Sequence, residues 1–224
     1  MSKINELLQE IKSVFSGRIP LLDVILPPLL FTLLNELFPL QISLLIALIS
    51  AGAFLAYRAW KKQALGYTLS GAAITALAGI LAWVSQSPKG FFLPGVITSG
   101  ITFLLALVSI IAQRPLAGFS SHLTRGWPLD WYWHPKVRPA YNQVTWGWML
   151  FFGLQFGIQG YFFLEGSASS LGIIQLLTGW PALIVVLVAS YLYGQWRLGK
   201  LGGPGVDEYL NQDPPPWEGQ KRGF

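Results

Sequence analysis

Residues 90–113, GFFLPGVITSGITFLLALVSIIAQ, form an apolar run without a charged residue. A helix of this length extends about 36 Å at 1.5 Å per residue, which exceeds the roughly 30 Å of hydrocarbon in a bilayer. Lys89 stands directly before the run and Arg114 directly after it. The stretch therefore predicts one transmembrane helix with a basic residue at each end.

The composition of the whole chain is that of a membrane protein. Of the 224 residues 53% are hydrophobic and 11% are charged, whereas a soluble domain carries about a quarter charged residues. Charge-free windows of similar length occur at Leu37–Tyr57, Gln63–Pro88, Pro139–Leu164 and Gly166–Trp196. Each window is long enough for one crossing and too short for two with a connecting turn.

A further segment, residues 19–38, is less regular. Its interrupting residues are Asp23, Pro27, Pro28, Asn35 and Glu36. Such a segment is either a kinked span or a re-entrant segment. The basic residues favour a span, because cytoplasmic loops collect Lys and Arg. With six crossings, all of the 15 Lys and Arg residues except Lys89 fall on the cytoplasmic side.

The sequence thus predicts an all-α polytopic membrane protein with six transmembrane helices and both termini in the cytoplasm. The predicted spans are residues 19–38, 40–60, 64–86, 91–113, 141–164 and 171–196, within a membrane domain of residues 19–198. Residues 1–18 place apolar side chains at helical spacing and predict an interfacial amphipathic helix on the cytoplasmic surface, with a solvated leader as the alternative. Residues 199–224 are rich in Gly and Pro and predict a flexible cytoplasmic tail.

The longest polar connection, residues 114–139, mixes aromatic and basic side chains. Its members are Trp127, Trp131, Tyr132, Trp133, Arg125, Lys136 and Arg138. This mixture is typical of a segment that lies against anionic headgroups, and on the other side Phe91 and Phe92 also suit the headgroup boundary. We therefore expect the lipid bilayer as a partner. Nucleic-acid stacking uses the same residue types, but the adjacent membrane accounts for them, so we expect no nucleic acid.

The chain carries few groups suited to catalysis or cofactor binding. It has no cysteine, which excludes disulfides, iron–sulfur clusters and thiol catalysis. Its two histidines, His122 and His134, both lie in the 114–139 connection. His134 and Asp130 have no nucleophile beside them in the sequence, which makes an acid–base pair a weak hypothesis. We expect no catalytic residue, no cofactor, no metal and no enzymatic activity.

A few polar residues inside the predicted spans are candidates for a polar path. They are Asp23, Asn35 and Glu36 in the first segment, and Gln155 and Gln159 in the fifth span. Ionisable groups at membrane depth are costly and persist where they act. Two alternatives remain: the carboxylates mark the ends of the first helix, and the glutamines donate hydrogen bonds to a neighbouring helix.

Small residues predict a helix-packing face. Gly95, Ser99 and Thr102 recur at helical spacing in the fourth span, and Gly153 and Gly157 form a small-xxx-small motif in the fifth. Small side chains let membrane helices approach closely. We expect these positions to contact helices of the same chain, of a second copy in a homo-oligomer, or of a membrane-protein partner.

Several stretches carry a resemblance to a known family. They are Gly90-Phe91-Phe92-Leu93-Pro94-Gly95, Arg114-Pro115-Leu116, and Arg138-Pro139-Ala140-Tyr141 with Thr145-Trp146-Gly147-Trp148. With them the chain resembles, from about Leu22 to Arg197, the bacterial membrane family catalogued as domain of unknown function 3159. Its layout is more distantly similar to the intracellular septation protein A family, small inner-membrane proteins linked to envelope maintenance and division. The resemblance implies a bacterial cytoplasmic (inner) membrane location and transfers no catalytic residue.

These observations favour a non-catalytic membrane protein that supports envelope or division machinery, or the assembly of a complex. A second interpretation is a small oligomeric transporter or channel for a solute. A third is an accessory subunit of a larger respiratory, photosynthetic or ion-uptake membrane complex.

Overall fold

The computed structural model describes residues 21–62 and 66–224, and within them the chain is helical without a β-strand. The helices are α1 (Leu21–Leu34), α2 (Leu40–Trp60), α3 (Gly66–Val84), a 3-10 helix (Pro88–Phe92), α4 (Leu93–Ile111), α5 (Leu116–Arg125), α6 (Leu129–Trp133), α7 (Arg138–Leu164), α8 (Ala168–Thr178), α9 (Trp180–Leu201) and α10 (Val206–Asn211). They form two compact units. Unit 1 is Met1–Gly95 with Tyr161–Leu176, and unit 2 is Val96–Gly160 with Leu177–Phe224.

Three helical stretches are long and apolar enough to cross a membrane, namely Leu40–Trp60, Pro88–Ile111 and Ala168–Leu201. A shorter apolar helix is found at Thr68–Val84. Helix α1 has 14 residues with Pro27 and Pro28 inside it, so it extends only about 21 Å. The described helices therefore provide three candidate spans of the six that the sequence predicts. The amphipathic helix predicted for residues 1–18 lies outside the described residues.

The core of unit 1 is built around three phenylalanines. The ring of Phe31 in α1 stacks on Phe91 with centroids 4.1 Å apart, and Phe92 lies 5.6 Å from Phe31. Phe91 and Phe92 are only 5% and 3% exposed, so their rings pack against protein rather than against lipid headgroups. Phe31 supplies the aromatic surface that covers them from a distant part of the chain.

The backbone of Gly90, the residue directly before these rings, packs against α3. A Cβ atom at Gly90 would come within 2.7 Å of the Leu81 carbonyl oxygen and 2.9 Å of Ala82 Cα. These are backbone atoms inside a helix, which cannot move aside, so the contact requires glycine at this position. The Lys89 ammonium donates a hydrogen bond of 3.2 Å to the Leu164 carbonyl oxygen in the same unit. The stretch that begins at Lys89 therefore joins several parts of unit 1.

Unit 2 has an aromatic core. Its buried members are Ala117, Trp127, Trp131, Tyr132, Val137, Ala140, Tyr141, Val144, Leu198 and Val206. The Trp131 indole donates a hydrogen bond of 2.9 Å to the Pro204 carbonyl oxygen, and the ring of Phe224 stacks on Tyr141 at 4.2 Å. The aromatic residues that the sequence places against headgroups are thus largely a protein core.

The C-terminal segment differs from the flexible tail that its composition predicts. Residues Val206–Asn211 form α10, and Val206 is buried in the aromatic core. The Arg125 guanidinium donates to the Arg222 carbonyl oxygen at 3.2 Å. Glycine and proline counts cannot reveal this docking, because the partner surface is formed by residues far away in the sequence.

Candidate functional site

The predicted packing face on α7 has two different surroundings. A Cβ atom at Gly153 would lie 3.0 Å from Phe103 Cδ2 of α4, whereas one at Gly157 would meet no described atom within 4 Å. In the same unit the ring of Phe156 lies against Gly100, at 2.9 Å from the position of a Cβ. Phe103 of α4 therefore packs over Gly153 of α7, and Phe156 of α7 packs over Gly100 of α4. Gly157 faces away from this contact.

The residues of the predicted packing face on α4 also differ in what they contact. A Cβ at Gly95 would lie 2.7 Å from the Gln175 amide nitrogen in unit 1. That amide donates a hydrogen bond of 2.8 Å to the Phe92 carbonyl oxygen. Ser99 is 3% exposed, and its hydroxyl donates to Val96 of its own helix at 2.8 Å. Thr102 likewise donates to the Thr98 carbonyl oxygen at 2.8 Å.

The two glutamines of the predicted polar path bind the same residue. Helix α8 ends at Thr178 and α9 begins at Trp180. The amide of Gln155 donates to the Thr178 carbonyl oxygen at 2.8 Å, and the amide of Gln159 donates to the Thr178 hydroxyl at 3.2 Å. Gln155 thus donates to a backbone carbonyl at the end of α8, the place where a helix needs donors from outside itself.

The acidic candidates lie in unit 1. The Glu36 carboxylate accepts a hydrogen bond from the Ser169 hydroxyl. Asn35 is half-buried at the end of α1, and the side chain of Asp23 lies outside the described part of the chain. Glu36 therefore binds a partner within unit 1, and the two glutamines bind a partner within unit 2. The partners of the glutamines and of Glu36 were not evident from the sequence, because hydrogen-bond partners in other helices leave no local signal.

Basic side chains of unit 2 lie over aromatic rings. Arg114 lies 4.9 Å from the centroid of Trp133, Arg125 lies 4.9 Å from Trp127, and Lys200 Nζ lies 4.2 Å from Trp196. These distances fall within the range of cation–π attraction. Near them α5 exposes the apolar side chains of Phe119 and Leu123, which are 37% and 83% accessible.

Glu208 holds the C-terminal segment in a fixed conformation. Its carboxylate accepts hydrogen bonds from the backbone N–H groups of Gly205 at 2.7 Å, Glu218 at 2.6 Å and Gly219 at 3.2 Å. These backbone donors lower the pKa of Glu208 below its ordinary value, because they stabilise the ionised form. Arg222 adds an ion pair of 2.8 Å with Asp207.

The two histidines have local partners. His122 Nδ1 lies 2.6 Å from the Trp127 carbonyl oxygen, a geometry in which Nδ1–H donates. His134 Nδ1 accepts from the Lys136 backbone N–H at 3.3 Å, and burial followed by the nearby Lys136 charge lowers the pKa of His134. Among the described residues no group of three or more His, Cys, Asp and Glu side chains is arranged to hold a metal ion.

An apolar groove of about 390 Å³ runs between α2 and α3 in unit 1. It is lined by Gln41, Leu44, Leu45, Leu48, Ala76, Gly79, Ile80 and Trp83. The side chains of Leu45, Ile80 and Trp83 are each more than half exposed. Because the groove lies on a candidate span, its surroundings in a bilayer would be hydrocarbon, which such side chains suit.

Comparison with known proteins assigns the chain to a family. No curated protein and no solved structure matches it significantly. A family model described as protein of unknown function (DUF3159) matches residues 15–195. The match includes the stretch from Gly90 to Gly95, which packs on α3 and on Phe31 in unit 1. It also includes the start of α7. Since the matched region is most of its length, the chain belongs to the family described as protein of unknown function (DUF3159).

Proposed function

We propose that this protein is a six-span protein of the bacterial cytoplasmic (inner) membrane that supports the assembly of a membrane complex by binding rather than by catalysis. Both termini lie in the cytoplasm. Three helical stretches meet the requirements for a span, and the predicted segment of residues 19–38, with α3 and α7, supplies the other crossings. The resemblance to envelope proteins makes the envelope or division machinery the candidate complex.

One observation carries this proposal. The polar side chains inside the candidate helices act as partners for their own chain: Gln155 and Gln159 with Thr178, and Gln175 with the Phe92 carbonyl oxygen. A transport path needs polar groups that can exchange partners with a solute. Here the amides satisfy backbone and hydroxyl groups at helix junctions, so they support structure. This favours a function carried by the surfaces of the helices.

Two surfaces of unit 2 suit such a function. The cation–aromatic pairs of Arg114 with Trp133 and of Lys200 with Trp196 combine positive charge with amphipathic rings, as expected for contact with anionic headgroups. On α7 the exposed side chains of Leu150 and Leu154 lie on the same helix face as Gly157. An open glycine next to exposed leucines lets a transmembrane helix of a partner protein approach closely.

The test is purification of the full chain from its native membranes in a mild non-ionic detergent, followed by native mass spectrometry. We expect a second membrane protein in a fixed ratio. Gly157→Leu should reduce recovery of that protein and leave the melting temperature of the purified chain unchanged, because Gly157 has no described neighbour within 4 Å.

The alternatives give different results. A homo-oligomer without a second protein, which also takes up a solute in proteoliposomes, would contradict the proposal and support the transporter. A partner that is itself a respiratory, photosynthetic or ion-uptake subunit would identify the chain as an accessory subunit. Recovery of the partner at the wild-type level with Gly157→Leu would show that α7 is not the contact.

A further inference from the structure

A pocket of about 320 Å³ opens between α10, the segment that follows it and the loop before α7. The residues that shape its chemistry are His134, Tyr209, Trp217, Glu208 and Asp213. All belong to unit 2. The volume lies at the lower end of the range for ligand pockets, which runs from roughly 300 to 1,000 Å³, so it fits a small molecule.

Three aromatic rings form walls of this pocket. The ring of His134 lies edge-on to Trp217, with centroids 5.6 Å apart and planes at 89°. It lies 6.3 Å from Tyr209 with planes at 78°. The faces of Trp and Tyr rings carry the negative part of the ring quadrupole and attract cations. The Trp217 ring already lies near one cation, because Lys136 Nζ is 5.1 Å from its centroid.

The carboxylates of the pocket have different roles. Both oxygens of Glu208 accept backbone N–H groups, so this charge is fixed in place and its hydrogen-bonding capacity is largely used. For Asp213, by contrast, the backbone carbonyl accepts from the Trp217 indole at 2.8 Å, while its carboxylate has no hydrogen bond or ion pair among the described residues. Asp213 therefore adds a negative charge to a pocket that the Trp217 and Tyr209 rings also line.

We propose that this pocket binds a small organic cation of the quaternary or methylated ammonium class. The cation contacts the faces of Trp217 and Tyr209, and the Asp213 carboxylate lies beside it. A quaternary ammonium has no N–H group and therefore needs no further acceptor, which suits a pocket where Glu208 is already engaged. Lys136 is the competing internal cation at the Trp217 ring. This binding is independent of the proposed assembly function.

The test uses the full chain in a maltoside detergent, because a phosphocholine detergent would itself carry the ligand group. Choline is titrated by calorimetry, and its neutral isostere 3,3-dimethyl-1-butanol is the matched probe. We expect saturable binding of choline and none of the alcohol. Equal heats from both compounds, or no saturable heat from choline, would overturn the proposal.

Variants identify the pocket. Asp213→Asn should weaken choline binding roughly two- to fivefold, as for loss of an exposed ion pair. Trp217→Leu should weaken it roughly five- to thirtyfold, as for loss of a cation–π contact, and Trp217→Phe should restore part of the affinity. Lys136→Gln should strengthen binding, because it removes the competing cation. Unchanged affinity in both Asp213→Asn and Trp217→Leu would place the cation elsewhere and overturn the assignment.

The same ammonium chemistry is available from free solutes and from phospholipid headgroups. Choline titrations in nanodiscs of phosphatidylcholine and of phosphatidylglycerol distinguish them. Weaker apparent binding in phosphatidylcholine would identify the headgroup as the ligand, because it competes with the added choline. Equal binding in both would identify a soluble cation, and binding in neither would contradict the proposal.

Discussion

Two glycines one turn apart in α7 differ in the space around them. Phe103 occupies the space beside Gly153, whereas the space that a side chain at Gly157 would enter is open. We expect Gly153→Leu to destabilise the purified protein by about 1–3 kcal/mol, because it overpacks the contact between α4 and α7. Gly157→Leu is the matched control, since leucine suits a membrane helix at both positions. Equal melting temperatures for the two variants would contradict the α4–α7 contact.

At the same scale, Glu208 makes the C-terminal segment sensitive to acid. Its folded pKa lies below the ordinary value of 4.5, so its three hydrogen bonds stabilise the docked segment at higher pH. This contribution is lost as the pH falls from about 4.5 through the lower folded pKa. A nitroxide on Leu210→Cys, in a chain without native cysteine, should therefore gain mobility in acid.

A variant separates this effect from general acid unfolding. Glu208→Gln should show the mobile spectrum already at neutral pH, because an amide cannot carry the charge that these donors stabilise. Glu218→Gln is the control, since the partner of that exposed side chain among the described residues is the equally exposed Lys221. A Glu208→Gln spectrum like that of the wild type at pH 7 would mean that the carboxylate does not hold the segment.

At the scale of elements, the junction of α8 and α9 depends on α7. Gln155→Leu removes the donor to the Thr178 carbonyl oxygen, and we expect a loss of about 0.6–2 kcal/mol of stability, the value of an interhelical hydrogen bond in a membrane. Thermal melting in detergent measures this. Gln41→Leu changes an exposed glutamine on α2 and should have little effect. If Gln155→Leu kept its melting temperature and instead abolished solute uptake, Gln155 would belong to a polar path.

At the scale of the whole molecule, the topology is open to a direct test. The chain has no cysteine, so single cysteines report their side of the membrane without removing native thiols. Gln86 and Thr124 are both exposed, and the six-span arrangement puts Gln86 outside and Thr124 in the cytoplasm. An impermeant maleimide should therefore label Gln86→Cys in intact cells, and Thr124→Cys and Ser2→Cys only after permeabilisation. Labelling of Ser2→Cys in intact cells would exclude six crossings with a cytoplasmic N-terminus.

The sequence by itself determined the helical character of the chain, the positions of two of its candidate spans and its family. Charge-free windows are sufficient to predict helices, because a bilayer forces the backbone to satisfy its own hydrogen bonds. The candidate spans at Leu40–Trp60 and Pro88–Ile111 accordingly agree with predicted spans. The motif from Gly90 to Gly95 was also visible, although its role was not.

Only the tertiary structure decided what those residues contact. It placed Phe91 on Phe31, Gln155 and Gln159 of α7 on Thr178, and the Trp131 indole on the Pro204 carbonyl oxygen 73 residues away. It also showed that the glycine- and proline-rich C-terminal segment packs on the aromatic core of unit 2 and lines a pocket. Hydropathy and spacing describe one helix at a time, whereas these contacts join distant segments. Their stability depends on shape and hydrogen-bond partners that no local pattern contains.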